Sequence, residues 1–271
     1  MPDYHVHTFR CGHAGGDLAG LRRGGDRARP CREIAFTDHI PLYFLPPERR
    51  DPKLAMREDE FDGYIEEVRS LAREFRGRIT VPSRPRGRLR RRVRGRSSSA
   101  GSLARNGTSC SAPVHWVAGD WIDAPGAAGA IRKEGGVLYR RILPTLAKAA
   151  SDRSLRRPDA PSISQEIRKS CISAGRSRRR GAIASAADAG CTVEISSAGL
   201  RKPVGEIYPE ERLLRRLIAA GIPVTFSSDA HAPAEVGWDY ERTIPHARLA
   251  GARAFVTFEE EAESLSPAPG P

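Results

Sequence analysis

The chain has 271 residues, 39% of them hydrophobic and 6% aromatic, with 45 Lys and Arg against 33 Asp and Glu for a net charge of +12. That length suits one large α/β domain, and no run approaches the ~18 apolar residues of a membrane helix, which excludes an integral helical membrane protein. Five cysteines, an odd number with no CxxC pair, argue against a disulfide framework and for a reducing cytoplasm.

In chain order, Tyr4–Thr8 predicts a short strand, and the start "MPDYHVHT" lacks the basic and apolar runs of a signal peptide. Residues 16–27 predict a helix despite their glycines. Arg32–His39, "REIAFTDH", predicts a buried strand with polar groups at its C-terminal end. Across Glu58–Phe75 the apolar residues Phe61, Tyr64, Ile65, Val68, Leu71 and Phe75 recur at helical spacing, with acids early and arginines late as the helix dipole prefers. Arg78–Val81 predicts another strand, the pattern then lapses until Val114–Trp121, and helices follow over 136–150 and 182–190. Cys191–Ser196 predicts a strand, Pro209–Gly221 a helix with Pro at its start and Gly at its stop, and Ile222–His231 a buried strand ending in polar residues. The tail from 257 to 271 reads as a flexible end. Helix, short apolar strand, then ligand-type residues is the grammar of parallel α/β folds, in which strand C-termini carry the site.

The charge is not spread evenly. Residues 82–113 hold nine Arg and no acid, and residues 152–181 hold nine Lys and Arg against three acids, so the rest of the chain is slightly acidic. A basic segment suggests an anionic partner, but 82–113 has no aromatic residue for stacking on bases, which makes nucleic acid a poor fit.

Six of the seven histidines fall at strand ends or in loops: His5, His7, His13, His39, His115 and His231. In "HVH" the two imidazoles are two apart, so a strand points them to one face. "SDAH" repeats that spacing with Asp229 and His231. Either pattern alone is weak, because Asp caps turns and His is common at surfaces. Six histidines in such positions point to bound zinc, manganese or iron, which imidazole and carboxylate suit. His246 reads as an ordinary helix-surface residue. No GxSxG or P-loop pattern suggests competing chemistry.

The stretches "DYHVHTFRCGHA", "FTDHIP", "VHWVAGDW", "EISSAGLRKPVGEIYP" and "SSDAHAPAEVG" resemble the polymerase-and-histidinol-phosphatase (PHP) superfamily. Within it they are most similar to the monofunctional histidinol-phosphatases, across most of 1–81, 114–151 and 182–256. The resemblance implies one domain over 1–256, a distorted (β/α)7 barrel with a trinuclear metal centre, hydrolysing L-histidinol phosphate. It implies that His5, His7 and Asp229 hold one ion, that His13, His39 and His231 hold another, and that His115 serves a third. His5, His7, His39, Asp229 and His231 would carry the catalysis, and Arg201 would contact the substrate phosphate. Two alternatives stay open: a PHP phosphoesterase acting on nucleotide or sugar phosphates, and a non-catalytic basic protein that binds nucleic acid.

The resemblance also calls for a bridging glutamate and a further histidine, and both expected places fall inside the basic segments. Shifted GC-rich coding DNA yields Arg, Ser, Pro and Ala. Synonymous codons exist for "PSRPRGRLRRRVRG" that read "RLGLEADYVAGFE" one base on, with the Glu codon spanning Arg86 and Gly87. Others for "DRSLRRPDAP" read "IGLFDVLTH", with the His codon spanning Ala160 and Pro161. Both segments are therefore read as frame-disrupted, and incomplete metal loading is expected of the chain as written.

Overall fold

The computed structural model describes residues 1–15, 31–39, 41–42, 46–81, 191–202 and 205–259, parts of 181–188, and short strand segments at 104–105, 110–111, 116–117, 120–121, 162–163 and 262–267. The expected helices at 16–27 and 136–150 lie outside these residues, as do His115 and most of both basic segments.

The centre is a run of parallel strands. Strand β1 (Pro2–Val6) pairs in parallel with β2 (Glu33–Phe36), and a bridge from Glu33 to Thr80 extends the run outward. On the other side Val6 bridges Ala230 in parallel, with His7 N–H donating to the Ala230 carbonyl at 2.8 Å. This joins β1 to the end of β9 (Val224–Ser227), which pairs with β8 (Thr192–Ser196), and β8 with β7 (Ser162–Ile163). Two-residue strands β3 (Ala104–Arg105), β4 (Cys110–Ser111), β5 (Trp116–Val117) and β6 (Asp120–Trp121) complete the set before β7. A parallel α/β architecture is thus present as expected; closure into a seven-stranded barrel is not seen among the described residues.

Strand period explains which side carries chemistry. Val193 and Ile195 of β8, and Val224 and Phe226 of β9, join one apolar cluster with Leu213, Leu214 and Leu217. Those leucines come from helix α3 (Glu211–Ala219), and Tyr240 and Ala247 of α4 (Tyr240–Leu249) join them. Val6, Ile34 and Phe36 pack in a second cluster against Tyr64, Ile65, Val68 and Leu71 of α1 (Phe61–Glu74). The alternate positions, Asp3 and His5 on β1 and Thr192, Glu194 and Ser196 on β8, therefore face away from the helices, yet all are buried. A polar, buried inner face is costly unless its groups are paired. That makes it the natural place for a site.

Several boundaries differ from the sequence expectation. Arg78–Val81 contributes only the single bridge at Thr80, and within the 114–121 stretch, for which the sequence predicts no element, Trp116–Val117 pairs antiparallel with Asp120–Trp121. The tail expected to be flexible from 257 begins inside β10 (Ala254–Glu259), which pairs antiparallel with β11 (Ala262–Pro267). Backbone pairing, to which the acidic composition of the tail gave no clue, orders it. His246 on α4 is half-buried, with its Nε2 3.0 Å from the Pro209 carbonyl, so it links helix to loop and is not a free surface residue. Cys11, Cys31 and Cys191 are buried free thiols, as the odd count suggested. Among the described residues no helix is long and apolar enough to cross a membrane.

Candidate metal centre

The site forms where β1, β2 and β9 end. His5 is the penultimate residue of β1 and His7 follows the strand; His39 follows β2; Asp229 and His231 follow β9. A one-turn 3-10 helix, Phe9–Cys11, capped by the Thr8 side chain and stopped by Gly12 at φ 84°, turns the chain so that His13 returns to the same mouth. A Cβ on Gly12 would stand 2.2 Å from the Pro52 carbonyl oxygen, so no larger residue fits this turn. Asp229 also adopts a left-handed backbone, φ 52°.

Six of the seven expected ligands converge. His5 Nε2 lies 2.9 Å from His7 Nε2, and Asp229 Oδ1 lies 3.5 Å and 3.2 Å from those two atoms. His231 Nε2 lies 3.1 Å from His13 Nε2. The His39 ring stands 4.8 Å from His7 and 5.8 Å from His13, centroid to centroid. Cys11 joins them too, its Sγ grouped with ring nitrogens of His7 and His231 within 4.8 Å of one another.

The other ring nitrogens say what the facing ones are. His5 Nδ1 meets Glu194 Oε2 at 3.0 Å. His13 Nδ1 meets the Cys11 and Lys53 carbonyls at 2.9 and 3.1 Å, and His231 Nδ1 the Asp229 carbonyl at 3.0 Å. Each oxygen only accepts, so each of these Nδ1 atoms carries the proton and each Nε2 presents a lone pair. At the His13–His231 pair two such lone pairs face each other at 3.1 Å, and they repel unless a proton or a cation lies between them. Donors bound at ~2.0–2.2 Å to one cation stand about 3.0–3.5 Å apart, which is the spacing seen. The residues present fit a divalent metal.

The electrostatics agree. Burial opposes charge on His5, but the Glu194 and Asp229 carboxylates outweigh it and raise His5 to about 9. His7 is held well below its ordinary value by burial and by His231 beside it. Burial also lowers His231. Asp229 stays ionised, well below the usual carboxylate range, because His5, His7 and Lys202 overcome its burial. Protonation of His5 and binding of a cation at its Nε2 therefore compete.

Arg201, expected at the substrate phosphate, sits at the end of the short helix α2 (Ala198–Arg201). Its Nη2 donates to the Ser228 and Asp229 carbonyls at 2.9 and 3.0 Å, and its Nε lies 3.3 Å from Glu235. The guanidinium stacks over Trp238 at 5.3 Å. Nη1 alone has no partner among the described residues. Lys202 Nζ approaches Asp229 Oδ2 at 3.6 Å. Sequence reasoning missed Glu194, Asp3, Lys202 and Glu235. Glu194 left a signal, an acid between Val193 and Ile195 in a strand whose every residue is buried; the others left none.

Parallel strands with imidazoles and a carboxylate gathered at their C-terminal ends define an α/β protein with side-chain groups that could hold a metal ion. No family model matches the chain. It is 27% identical over 265 residues to a protein of Deinococcus radiodurans named "Probable histidinol-phosphatase", covering 94% of this chain and 95% of that protein. It is 25% identical over 266 residues to the histidinol-phosphatase of Bacillus subtilis, covering 88% and 96%. The solved structure of histidinol phosphate phosphatase from Lactococcus lactis, complexed with zinc, L-histidinol and phosphate, has the same fold. Its TM-score is 0.62 at 16% identity, over 97% of this chain and 98% of that one. The particular resemblance is thus to histidinol-phosphatases of the PHP superfamily, along nearly the whole chain.

Proposed function

We propose that the chain is a metal-dependent phosphomonoesterase, a histidinol-phosphatase that hydrolyses L-histidinol phosphate to L-histidinol and phosphate in histidine biosynthesis. The facing Nε2 pairs of His5 with His7 and of His13 with His231 carry this reading, in a chain similar to histidinol-phosphatases over most of its length. Phosphate monoesters hydrolyse extremely slowly unaided. Divalent cations supply hydroxide near neutral pH and neutralise the phosphoryl oxygens.

His5, His7 and Asp229 would hold one zinc, manganese or iron ion, His13, His39 and His231 a second, and His115 would serve a third. Arg201 offers its unpartnered Nη1, and Lys202 its ammonium, to the substrate phosphate. Both extend from the end of α2 toward the Asp229 loop, so the two cations flank the mouth where the phosphate would enter. The five parallel strands would be part of a distorted seven-stranded barrel, and the enzyme would work in the cytoplasm.

The test is phosphate release from L-histidinol phosphate by the purified chain, stripped with a chelator and reloaded with Zn2+, Mn2+ or Fe2+. Release is expected only after reloading, and to be weak, because the bridging glutamate and further histidine that the resemblance calls for are absent from the chain as written; His7→Ala should lower bound metal and rate together. Full activity of the stripped protein overturns the metal role. Faster release from a nucleotide or sugar phosphate overturns the substrate.

A further inference from the structure

We propose that Glu194 is a positioning residue whose negative charge, and not only its capacity to accept a hydrogen bond, sets the affinity of the His5–His7–Asp229 site for its ion. The inference rests on the metal-site reading above. Three histidines in the cluster have their second nitrogen held by an oxygen, but the oxygens differ. His13 and His231 use neutral backbone carbonyls. Of these three, His5 has a carboxylate within hydrogen-bond distance, Glu194 at 3.0 Å, while His231 Nδ1 lies 3.7 Å from the Asp229 carboxylate. Both partners are buried, with side chains 4% and 0% exposed, so water screens their interaction little. His7 Nδ1 has no partner among the described residues.

The consequence is an asymmetry built into the site. A carboxylate on the far nitrogen locks the tautomer, aims Nε2 and raises its basicity more than a carbonyl does. Glu194 reaches His5 from the neighbouring half of the sheet, 189 residues away in sequence, on the same inner face of β8 that carries Thr192 and Ser196. Its position between Val193 and Ile195, which are anchored in the apolar cluster behind, leaves the carboxylate little freedom to move. His5 is thus a stronger imidazole donor than His13, whose Nδ1 meets only backbone carbonyls.

Glu194→Gln separates charge from geometry, because the amide oxygen can still accept from His5 Nδ1. Glu194→Ala removes both. The measurement is Co2+ affinity, by competition with a chelator and read from the cobalt absorption, together with thermal unfolding of the metal-free proteins. The Gln variant is expected to keep the wild-type melting temperature and bind Co2+ about tenfold more weakly, the Ala variant up to about a hundredfold. Wild-type affinity in Glu194→Gln overturns the proposal. So does a pair of variants that melt early yet bind Co2+ normally, since Glu194 would then serve the fold alone. A wild type that binds no Co2+ overturns it as well. Histidinol phosphate takes no part in this assay, so a chain that binds Co2+ but releases no phosphate overturns the substrate reading and leaves the Glu194 result standing.

Discussion

Asp3→Ala should be among the most damaging single changes outside the apolar clusters. Asp3 is fully buried and accepts from Ser228 N–H at 2.9 Å, Ser228 Oγ–H at 2.5 Å and Gly237 N–H at 2.8 Å. It thereby ties the first strand to the loop that carries Asp229 and His231. Alanine removes the acceptor of the Ser228 and Gly237 N–H groups and of the longer 3.4 Å bond from His5 N–H, at about 1–3 kcal/mol for each buried group left unpaired. Burial itself pushes the Asp3 carboxyl up, so part of that loss is offset when the charge is removed. A net loss of about 3 kcal/mol is expected, a large share of the ~5–15 kcal/mol that holds a typical domain together. Urea unfolding of metal-free protein, followed by far-ultraviolet circular dichroism, should show the midpoint falling by about 1 M or more. Asp3→Asn, which keeps one acceptor, should fall between. A midpoint within about 0.3 M of wild type for Asp3→Ala would refute the idea that these contacts hold the loop.

If Arg201 binds the substrate phosphate through Nη1 while its Nη2 holds the Asp229 carbonyl, Arg201→Lys should raise KM about tenfold or more and Arg201→Ala should also slow metal loading. Normal KM and normal metal content in Arg201→Ala would remove both roles. Burial raises Cys31 to about 12 and holds Tyr64 and Tyr240 well above 10, so all three stay neutral in the fold while the unfolded chain ionises from pH 9 upward. The unfolded state then binds fewer protons, and stability should fall with rising pH at up to about 1.4 kcal/mol per unit for each group; Cys31→Ala should flatten the slope between pH 9 and 12. Restoring frame across 82–113 and 152–181 should bring the net charge near or below zero and raise the metal content. Resequencing the gene checks it: a confirmed arginine-rich frame in a protein with three bound metals and full activity would make both segments true insertions.

The parts of the fold that were legible in sequence are those where period and burial agree. Helix α1 was readable because Tyr64, Ile65, Val68 and Leu71 fall on one face and all four are buried. Strands β8 and β9 were readable as short apolar runs, since parallel strands are covered on both sides. The site was legible because metal ligands must follow strand ends, and "HVH", "TDH" and "SDAH" mark three such ends. Boundaries were less so: Arg78–Val81 reads as a strand, yet only Thr80 forms a bridge, because an apolar run alone cannot show how far a strand pairs.

What stayed hidden was the set of groups that act on the ligands without being ligands. Asp3, Glu194 and Glu235 carry no spacing motif, because their partners lie far off in sequence: Asp3 and Ser228 are 225 residues apart, and Glu194 and His5 are 189 apart. Yet the physical need for them was implicit. A buried imidazole that must present one lone pair needs its other nitrogen occupied by an oxygen, and a buried strand with an acid at its centre needs a partner for that acid. In this chain the two needs meet at His5 and Glu194. An isolated acid in an apolar strand, in a sequence that also places histidines at strand ends, is therefore evidence about the metal site even before any distance is measured.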